Sequence, residues 1–151
     1  MNEKVYLDTS VYNRPFDDQK QARIWLETLA FSVILQLIEN GEIELVTSSV
    51  LAYETSRNPY EQRREWVSRV SQLARIHQLV DEPIRQRANA LAVNRIKSFD
   101  ALHIACAETA VADYFVTCDD RLIRRYQSSA HSRMVICNPP EFVRLITGVD
   151  P

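Results

Sequence analysis

The chain has 151 residues, about enough for one domain with a single core, and we expect residues 1–151 to form one domain. Its hydrophobic fraction of 46% and charged fraction of 25% argue against disordered, fibrous and membrane classes. No apolar run is long enough for a signal peptide or for a membrane span of ~20 residues. We therefore expect a cytoplasmic protein that does not contact the membrane.

Charge, glycine content and cysteine spacing narrow the function further. The formal net charge of −2 is not the footprint of general nucleic-acid binding, so a polyanion would have to bind a local patch. The only glycines are Gly41 and Gly148, which disfavours the glycine-rich phosphate loops of ATP- and dinucleotide-binding proteins. Cys106, Cys118 and Cys137 lack C-x-x-C spacing, which predicts buried reduced thiols and neither disulfides nor a zinc site.

Five short apolar or β-branched runs alternate with helical patterns along the chain. The predicted strands are residues 4–7, 43–47, 75–80, 113–117 and 134–137. After the first strand, the segment TSVYNRPFDD predicts a loop that delays the first helix to residues 18–39. In that helix an apolar stripe is formed by Trp25, Leu29, Val33 and Leu37. Gly41 is the predicted stop of the helix.

The remaining helices follow the later strands. Ser48 or Ser49 caps a short helix that holds Glu54 and that Asn58-Pro59 breaks. The next predicted helix has an apolar face made of Trp66, Val70, Leu73 and Ala74. The others are residues 82–93, residues 99–110 with Ser98 as the cap, a short helix from Asp120, and a last helix with a capping-box-like start at Asn138 and Glu141.

This alternation predicts an α/β fold with three α/β/α layers and a mostly parallel sheet, because helical crossovers are how parallel neighbours are joined. In such sheets the functional site lies beyond the C-terminal ends of the strands. Asp8 and Asp119 follow predicted strands, Glu54 lies in the helix that leaves the second strand, and Asp100 opens a helix at the same edge. The sequence thus predicts that four carboxylates meet there.

Each acid also has a structural interpretation. An Asp after a strand is a common turn or cap residue, an Asp in the first turn of a helix is stabilised by the helix dipole, and a helical Glu is usually solvated. The coincidence of four is what favours function, since like charges in one pocket repel by several kcal/mol unless a cation neutralises them. Oxygen ligands without paired His or Cys suit Mg²⁺ or Mn²⁺, whose usual chemistry is hydrolysis of a phosphodiester.

Three segments carry a resemblance to a known family: LDTS at 7–10, the helical Glu54, and SFDALHIACAETAVADYFVTCDDRLIRR at 98–125. Together they resemble a PIN-domain ribonuclease of the VapC-like toxin group, and the likeness covers nearly the whole chain. The resemblance implies a sheet of four or five strands, Mg²⁺ or Mn²⁺, cleavage of RNA, frequent homodimers and often a small antitoxin partner.

By position, the resemblance implies that the acidic quartet of the family is Asp8, Glu54, Asp100 and Asp119 in this chain. It makes Thr9 or Ser10, together with Thr117, hydroxyl helpers near metal or phosphate. Asp120 leaves the fourth ligand ambiguous, although the spacing after Thr117 favours Asp119. The polar segment YNRPFDD departs from the apolar helix start that usually follows the first acid, which bears on substrate and toxin status more than on fold.

Other polar and aromatic residues remain open at this point. His103 lies one helical turn after Asp100, where it could donate to a ligand, contact phosphate or be a buried core histidine. His77 and His131 have no partner at ligand spacing, which indicates structural or solvated side chains. Four basic residues lie close to the acids in sequence, at a density expected by chance: Arg14, Arg57, Lys97 and Arg121. Trp25 and Trp66 fall on apolar stripes that are more typical of core or dimer contacts than of base-stacking platforms.

The leading hypothesis is a divalent-metal-dependent endoribonuclease that cleaves single-stranded or loop RNA. A catalytically inactive PIN-like module that binds protein or RNA is the alternative. A metal-dependent phosphatase is a third possibility, but it would typically have Asp at position 10, where this chain has Ser10.

Overall fold

The computed structural model describes residues 2–129 and 133–149, which form a five-stranded sheet with every pair of neighbours parallel. The strands are β1 (Glu3–Leu7), β2 (Ile43–Ser48), β3 (Ile76–Gln78), β4 (Tyr114–Val116) and β5 (Val135–Cys137). Their order is β3-β2-β1-β4-β5, so β1 lies at the centre. The predicted parallel sheet is confirmed.

Helices cover both faces of the sheet. They are α1 (Thr9–Asn13), α2 (Ala22–Glu39), α3 (Ser49–Ser56), α4 (Glu61–Ser71), α5 (Glu82–Ala92), α6 (Ser98–Thr109), α7 (Asp120–Ser129) and α8 (Pro139–Thr147). Side chains of β1 alternate between two cores: Val5 and Leu7 pack with α2 and α8, and Tyr6 packs with α5 and α6. The three-layer α/β/α prediction is therefore confirmed. Among the described helices, none is long and apolar enough to cross a membrane.

The segment after β1 is helical, which corrects the predicted loop. Helix α1 begins directly after Asp8, whose Oδ1 accepts a hydrogen bond from the Thr9 backbone N–H at 2.9 Å. Val11 and Tyr12 are fully buried on this helix. Burial of these two side chains stabilises a turn of helix that the polar residues around them would not predict.

The polar residues after α1 form an ion-pair cluster that anchors α2, beyond a 3-10 turn at Arg14–Phe16. Arg14 donates to Glu27 Oε1 through Nε at 3.0 Å and Nη2 at 2.7 Å, and to Asp17 through Nη1 at 3.0 Å. Glu27 is only 2% exposed. A buried carboxylate without a partner would cost several kcal/mol, so this polar segment has a structural role.

Helix α2 packs on a face that matches the predicted stripe only in part: Val33 and Leu37 pack against the core, whereas Trp25 and Leu29 do not. It begins at Ala22 and not at residue 18. Its buried apolar residues are Ile24, Ala30, Phe31, Ile34 and Ile38. Trp25 and Leu29 are 49% and 40% exposed, so the core interpretation of Trp25 is wrong and a dimer contact there stays a prediction. Since α2 has apolar residues on more than one face, periodicity could not select the packed one.

Trp66 does pack in the core, and its indole Nε1 donates to the Tyr12 carbonyl at 2.8 Å. Two other predictions need correction. Helix α4 ends at Ser71, so Leu73 and Ala74 lie beyond it. Ser98 is the first residue of α6 and Lys97 is the cap, without a side-chain hydrogen bond.

Several predicted ends and side-chain states are confirmed. Ser48 caps α3 through Leu51 N–H, and Asn138 caps α8 through Glu141 N–H. Gly41 follows α2 with a φ of +74°, a conformation that favours glycine at the end of a helix. All three cysteines are buried and free.

Candidate active site

Asp8 lies at the C-terminal end of β1 and both of its carboxylate oxygens accept hydrogen bonds. Besides the Thr9 N–H on Oδ1, Oδ2 accepts from Ser10 Oγ at 3.0 Å and from Thr117 Oγ1 at 2.8 Å. Ser10 Oγ in turn accepts from the Cys118 N–H at 3.1 Å. The side chain is 6% exposed. Asp8 is thus held from both α1 and the end of β4, and Ser10 and Thr117 are its side-chain supports.

Glu54 lies on the last turn of α3, where it contacts α1 and α6. Its Oε1 accepts from Thr9 Oγ1 at 2.9 Å and also bonds His103 Nε2. Burial alone would raise the pKa of Glu54, but the hydrogen bond and charge of His103 and the bond from Thr9 together lower it. Glu54 is therefore not the ordinary solvated glutamate that its helix would suggest.

Asp100 opens α6 without making a side-chain hydrogen bond to any described residue. Its pKa is raised to about 6, first by burial and then by the charge of Asp8, with smaller contributions from Asp119 and Glu54; His103 acts in the opposite direction. Asp100 therefore interacts electrostatically with the three other acids. Their common role as one metal site stays a prediction.

Asp119 and Asp120 have different roles. Asp119 Oδ1 accepts from the Arg121 and Leu122 N–H groups at 2.9 and 3.3 Å, which caps α7, and no described residue donates to Oδ2. Asp120 is held by both Nη atoms of Arg23, at 2.7 and 2.9 Å, which lowers its pKa. Because Asp120 is already paired, the geometry favours Asp119 as the fourth acid.

A polar cleft of about 530 Å³ opens beside Asp100 and Asp119. Its lining includes four basic side chains from the turn before α6 and from α7: Lys97, Arg121, Arg124 and Arg125. Two of the basic residues considered from the sequence, Lys97 and Arg121, therefore lie at the acids. The other two are engaged elsewhere, Arg14 with Glu27 and Arg57 with the Tyr53 hydroxyl.

A second cavity, of about 570 Å³, lies between α3, α5 and α6 and is mainly apolar, with Tyr53 and Phe99 stacked at its edge. None of the four acids lines it. His77 bonds Thr47 at 3.0 Å on the exposed edge of the sheet, which agrees with a structural role. His131 lies outside the described residues.

The donor chemistry suits a hard divalent cation, since the side chains near Asp100 supply carboxylate and hydroxyl oxygens and carry mutual repulsion that a cation would relieve. Their arrangement is looser than a closed metal site. Within residues 2–129 and 133–149, no three His, Cys, Asp and Glu side chains are grouped closely enough to hold a metal ion. The carboxylates whose charges act on Asp100 are Asp8, Asp119 and Glu54.

Sequence reasoning missed two residues that the structure joins to this site. Tyr6 and Ser48 bond each other at 2.6 Å, and Tyr6 bonds His103 Nδ1 at 2.5 Å. A tyrosine inside a strand and a serine at a helix start carry no signal of this contact. Arg124 and Arg125 were also missed, although their i+3 and i+4 spacing from Arg121 places all three on one helical face.

The sequence model of the PIN domain matches residues 5–127. The chain belongs to the PIN domain family. PIN domains are typically nucleases. The family-level resemblance seen in the sequence is confirmed.

Two solved structures are similar to this PIN-domain chain in fold. A chain of FitAcB from Neisseria gonorrhoeae has 19% identity and a TM-score of 0.54, with 89% of this chain and 97% of that chain covered. A chain of VapBC2 from Rickettsia felis, crystallised bound to a DNA fragment from their promoter, has 15% identity and a TM-score of 0.56, with 89% and 98% covered. No curated protein matches the chain.

Proposed function

We propose that this PIN-domain protein is a Mg²⁺- or Mn²⁺-dependent endoribonuclease whose acids are Asp8, Glu54, Asp100 and Asp119. The observation that carries the proposal is Asp100, a part-buried carboxylate without a hydrogen bond from a described residue, whose pKa is raised to about 6 by burial and by three other acids. Such an arrangement is costly in the absence of a cation and is stabilised by one. A bound Mg²⁺ or Mn²⁺ would supply activation of water and stabilisation of the leaving oxygen.

The residues of the chain have two different roles, which are to bind the cation and to orient a carboxylate. Asp100 and Asp119 have carboxylate oxygens that no described residue occupies, which makes them the ligands most ready to bind a cation. Asp8 is held in place by Thr9, Ser10 and Thr117. Ser10 and Thr117 act on the reaction only through the Asp8 carboxylate that they orient.

The basic cleft supports RNA as the substrate. Lys97, Arg121 and Arg124 lie beside Asp100 and Asp119, where they can bind phosphates on either side of the bond that is cut. This charge is local, because the chain as a whole has a net charge of −2. The predicted substrate is single-stranded or loop RNA, whose backbone can enter a cleft bordered by two helices.

The test is cleavage of a single-stranded RNA by the purified protein. We expect endonucleolytic cleavage with Mg²⁺ or Mn²⁺, loss of cleavage in EDTA, and recovery when Mn²⁺ is added in excess. Robust cleavage in EDTA would refute the metal-dependent mechanism. Absence of saturable Mn²⁺ binding at millimolar concentration would favour the inactive binding module, and turnover of a small phosphate ester without action on RNA would favour a phosphatase.

The resemblance to the VapC-like group also suggests a biological role for the protein. On this basis the protein is the toxin of a toxin-antitoxin pair, acts in the cytoplasm, forms homodimers and is blocked by a small antitoxin. Co-expression with the small protein encoded beside its gene, followed by co-purification and a cleavage assay, tests the antitoxin. Light scattering of the purified protein tests the dimer.

A further inference from the structure

Four polar side chains from β1, β2, α3 and α6 form a continuous chain of hydrogen bonds, which we call the Tyr6 network: Ser48, Tyr6, His103 and Glu54. The Tyr6 hydroxyl bonds Ser48 Oγ at 2.6 Å and His103 Nδ1 at 2.5 Å, and His103 Nε2 bonds Glu54 Oε1. Ser48 Oγ also accepts the Leu51 N–H at 3.2 Å and so caps the helix on which Glu54 lies. The Tyr6 network therefore connects the start of α3 with the last turn of α3, through side chains on β1 and α6.

Three of the four side chains in the Tyr6 network are fully buried, and Glu54 is part-buried. Tyr6, Ser48 and His103 each have no exposed surface. Burying polar groups is unfavourable unless they are hydrogen-bonded, and a buried network with all partners present is rigid. Phe115 stacks on the Tyr6 ring at 5.3 Å with an interplanar angle of 8°, which fixes the phenol further. The His103 ring consequently has little freedom to turn.

The contacts determine which His103 nitrogen faces which partner: Nδ1 faces the Tyr6 hydroxyl and Nε2 faces Glu54. Burial raises the pKa of Tyr6 well above its usual range, so its phenol carries a proton at neutral pH. The His103 Nε2–H then donates to the Glu54 carboxylate, while the Tyr6 hydroxyl bonds both Nδ1 and Ser48.

Glu54 is held through one of its two oxygens. Oε1 accepts from both His103 and Thr9, whereas no described residue donates to Oε2. We propose that Tyr6 and His103 are positioning residues, which hold Glu54 by Oε1 so that Oε2 is the oxygen available to the cation or the attacking water. This inference rests on the proposed function, because it assigns the orientation of one of its four acids.

Tyr6→Phe removes only the hydroxyl that links Ser48 to His103 in the Tyr6 network. Supporting residues of this kind typically change metal affinity or activity by 10- to 100-fold, so we expect about a tenfold lower kcat with the KM for RNA within about twofold, and about tenfold weaker Mn²⁺ binding by calorimetry. The matched control is Tyr12→Phe, since the buried Tyr12 hydroxyl lies near Ser71 without a hydrogen bond of ordinary geometry and belongs to the other core. Wild-type kcat and Mn²⁺ affinity in Tyr6→Phe would overturn the inference.

A pair of substitutions at His103 separates the donor from the packing. His103→Gln can keep an N–H at the position of Nε2, whereas His103→Leu fills similar space without a donor. At a temperature where circular dichroism shows both variants folded, we expect His103→Gln to keep at least several-fold more kcat and Mn²⁺ affinity than His103→Leu. Equal values in the two folded variants would show that the hydrogen bond has no positioning role.

Metal-free protein gives a readout that does not depend on cleavage. We expect NMR to show a hydrogen-bonded His103 Nε2–H signal in the wild type and in Tyr12→Phe, and a shifted or broadened signal in Tyr6→Phe. If the wild type does not cleave RNA, the proposed function fails, and the Nε2–H signal and Mn²⁺ affinity still test the positioning. If the wild type cleaves RNA and Tyr6→Phe leaves both unchanged, the positioning fails alone.

Discussion

The four acids at the edge of the sheet fall into two pairs. Asp8 and Glu54, the hydrogen-bonded pair, accept bonds from neighbouring elements, from Thr9, Ser10 and Thr117 in one case and from Thr9 and His103 in the other. Asp100 and Asp119, the open pair, accept from no described side chain. The fold orients the first pair before any ligand arrives, and it leaves the second pair able to respond to one.

The pairs also differ in electrostatics. The pKa of Glu54 is lowered because its bonds to His103 and Thr9 outweigh the effect of burial, whereas burial and repulsion raise the pKa of Asp100 to about 6. Burial and the partners of each acid together shift the pKa values of these two carboxylates in opposite directions. If this comparison is correct, changes to the open pair act on metal binding and changes to the hydrogen-bonded pair act on geometry.

The largest effect is expected at Asp100. Asp100→Asn removes one negative ligand, so we expect cleavage to fall by about 100-fold and Mn²⁺ affinity by at least about tenfold, while metal-free thermal stability holds or rises because repulsion is relieved. The matched control is Asp81→Asn, the same change at the cap of α5, which should cleave RNA normally. Wild-type cleavage by Asp100→Asn would show that the open pair is structural.

Thr117 is the residue that joins the two pairs. It donates to Asp8 Oδ2 at 2.8 Å and accepts from the Asp119 N–H at 3.2 Å. We expect Thr117→Val to lower kcat by about tenfold and to destabilise the protein by about 1–2 kcal/mol in urea unfolding. Thr47→Val, a buried threonine on β2 that bonds His77, is the control and should leave kcat unchanged. If Thr117→Val and Thr47→Val have equal kcat values, Thr117 has no role in the reaction.

Stability without metal should depend on pH through Asp100. Its pKa is 3.8 in the reference state and about 6 in the folded protein, so the folded state holds more protons between these values and stability falls as the pH rises through them. Two pKa units correspond to about 3 kcal/mol, of which about half is expected because Asp100 is only part-buried.

The measurement is urea unfolding in EDTA for the wild type and Asp100→Asn. The two proteins should have similar free energies of unfolding near the lower pKa, and the variant should be the more stable one above pH 6. Glu54 has a lowered pKa and contributes stability that is lost at lower pH in both proteins, so only its repulsion with Asp100 enters the difference. If the difference in the free energy of unfolding between the two proteins is the same at every pH, the pKa of Asp100 is not raised by its surroundings.

The basic cleft should act on substrate binding and leave the chemistry intact. Arg121 lines the cleft from α7, so Arg121→Gln should raise the KM for RNA by about two- to fivefold, keep kcat within about twofold, and lower the salt slope of binding by about 1. Arg69→Gln, on α4 away from this lining, should change neither value. A fall in kcat alone would place Arg121 among the reacting groups.

The smallest effect is expected at Asp120. Asp120→Asn weakens a surface ion pair with Arg23, which is 51% exposed, so stability should change by less than about 1 kcal/mol and cleavage should stay within about twofold. Asp119→Asn should instead lower cleavage by about as much as Asp100→Asn. If Asp120→Asn is the more damaging of the two, the open pair is Asp100 with Asp120.

Strands and most helix ends were predictable because they depend on neighbours in sequence. Hydrophobic and β-branched runs identified all five strands, and Ser48, Gly41 and Asn138 end or begin helices through bonds within a few residues. Helix α1 was missed because two buried side chains stabilise it, and the packed face of α2 was predicted only in part because apolar residues occur on several of its faces.

The sequence by itself determined the parallel sheet and the edge on which the acids lie, since chain direction places the ends of parallel strands together. Only the tertiary structure decided how each acid is held. Glu54 meets His103 across 49 residues and Asp120 meets Arg23 across 97. No local pattern encodes such contacts, because whether a carboxylate is bonded, paired or left open depends on side chains brought from distant elements, and burial then sets how strongly those partners act.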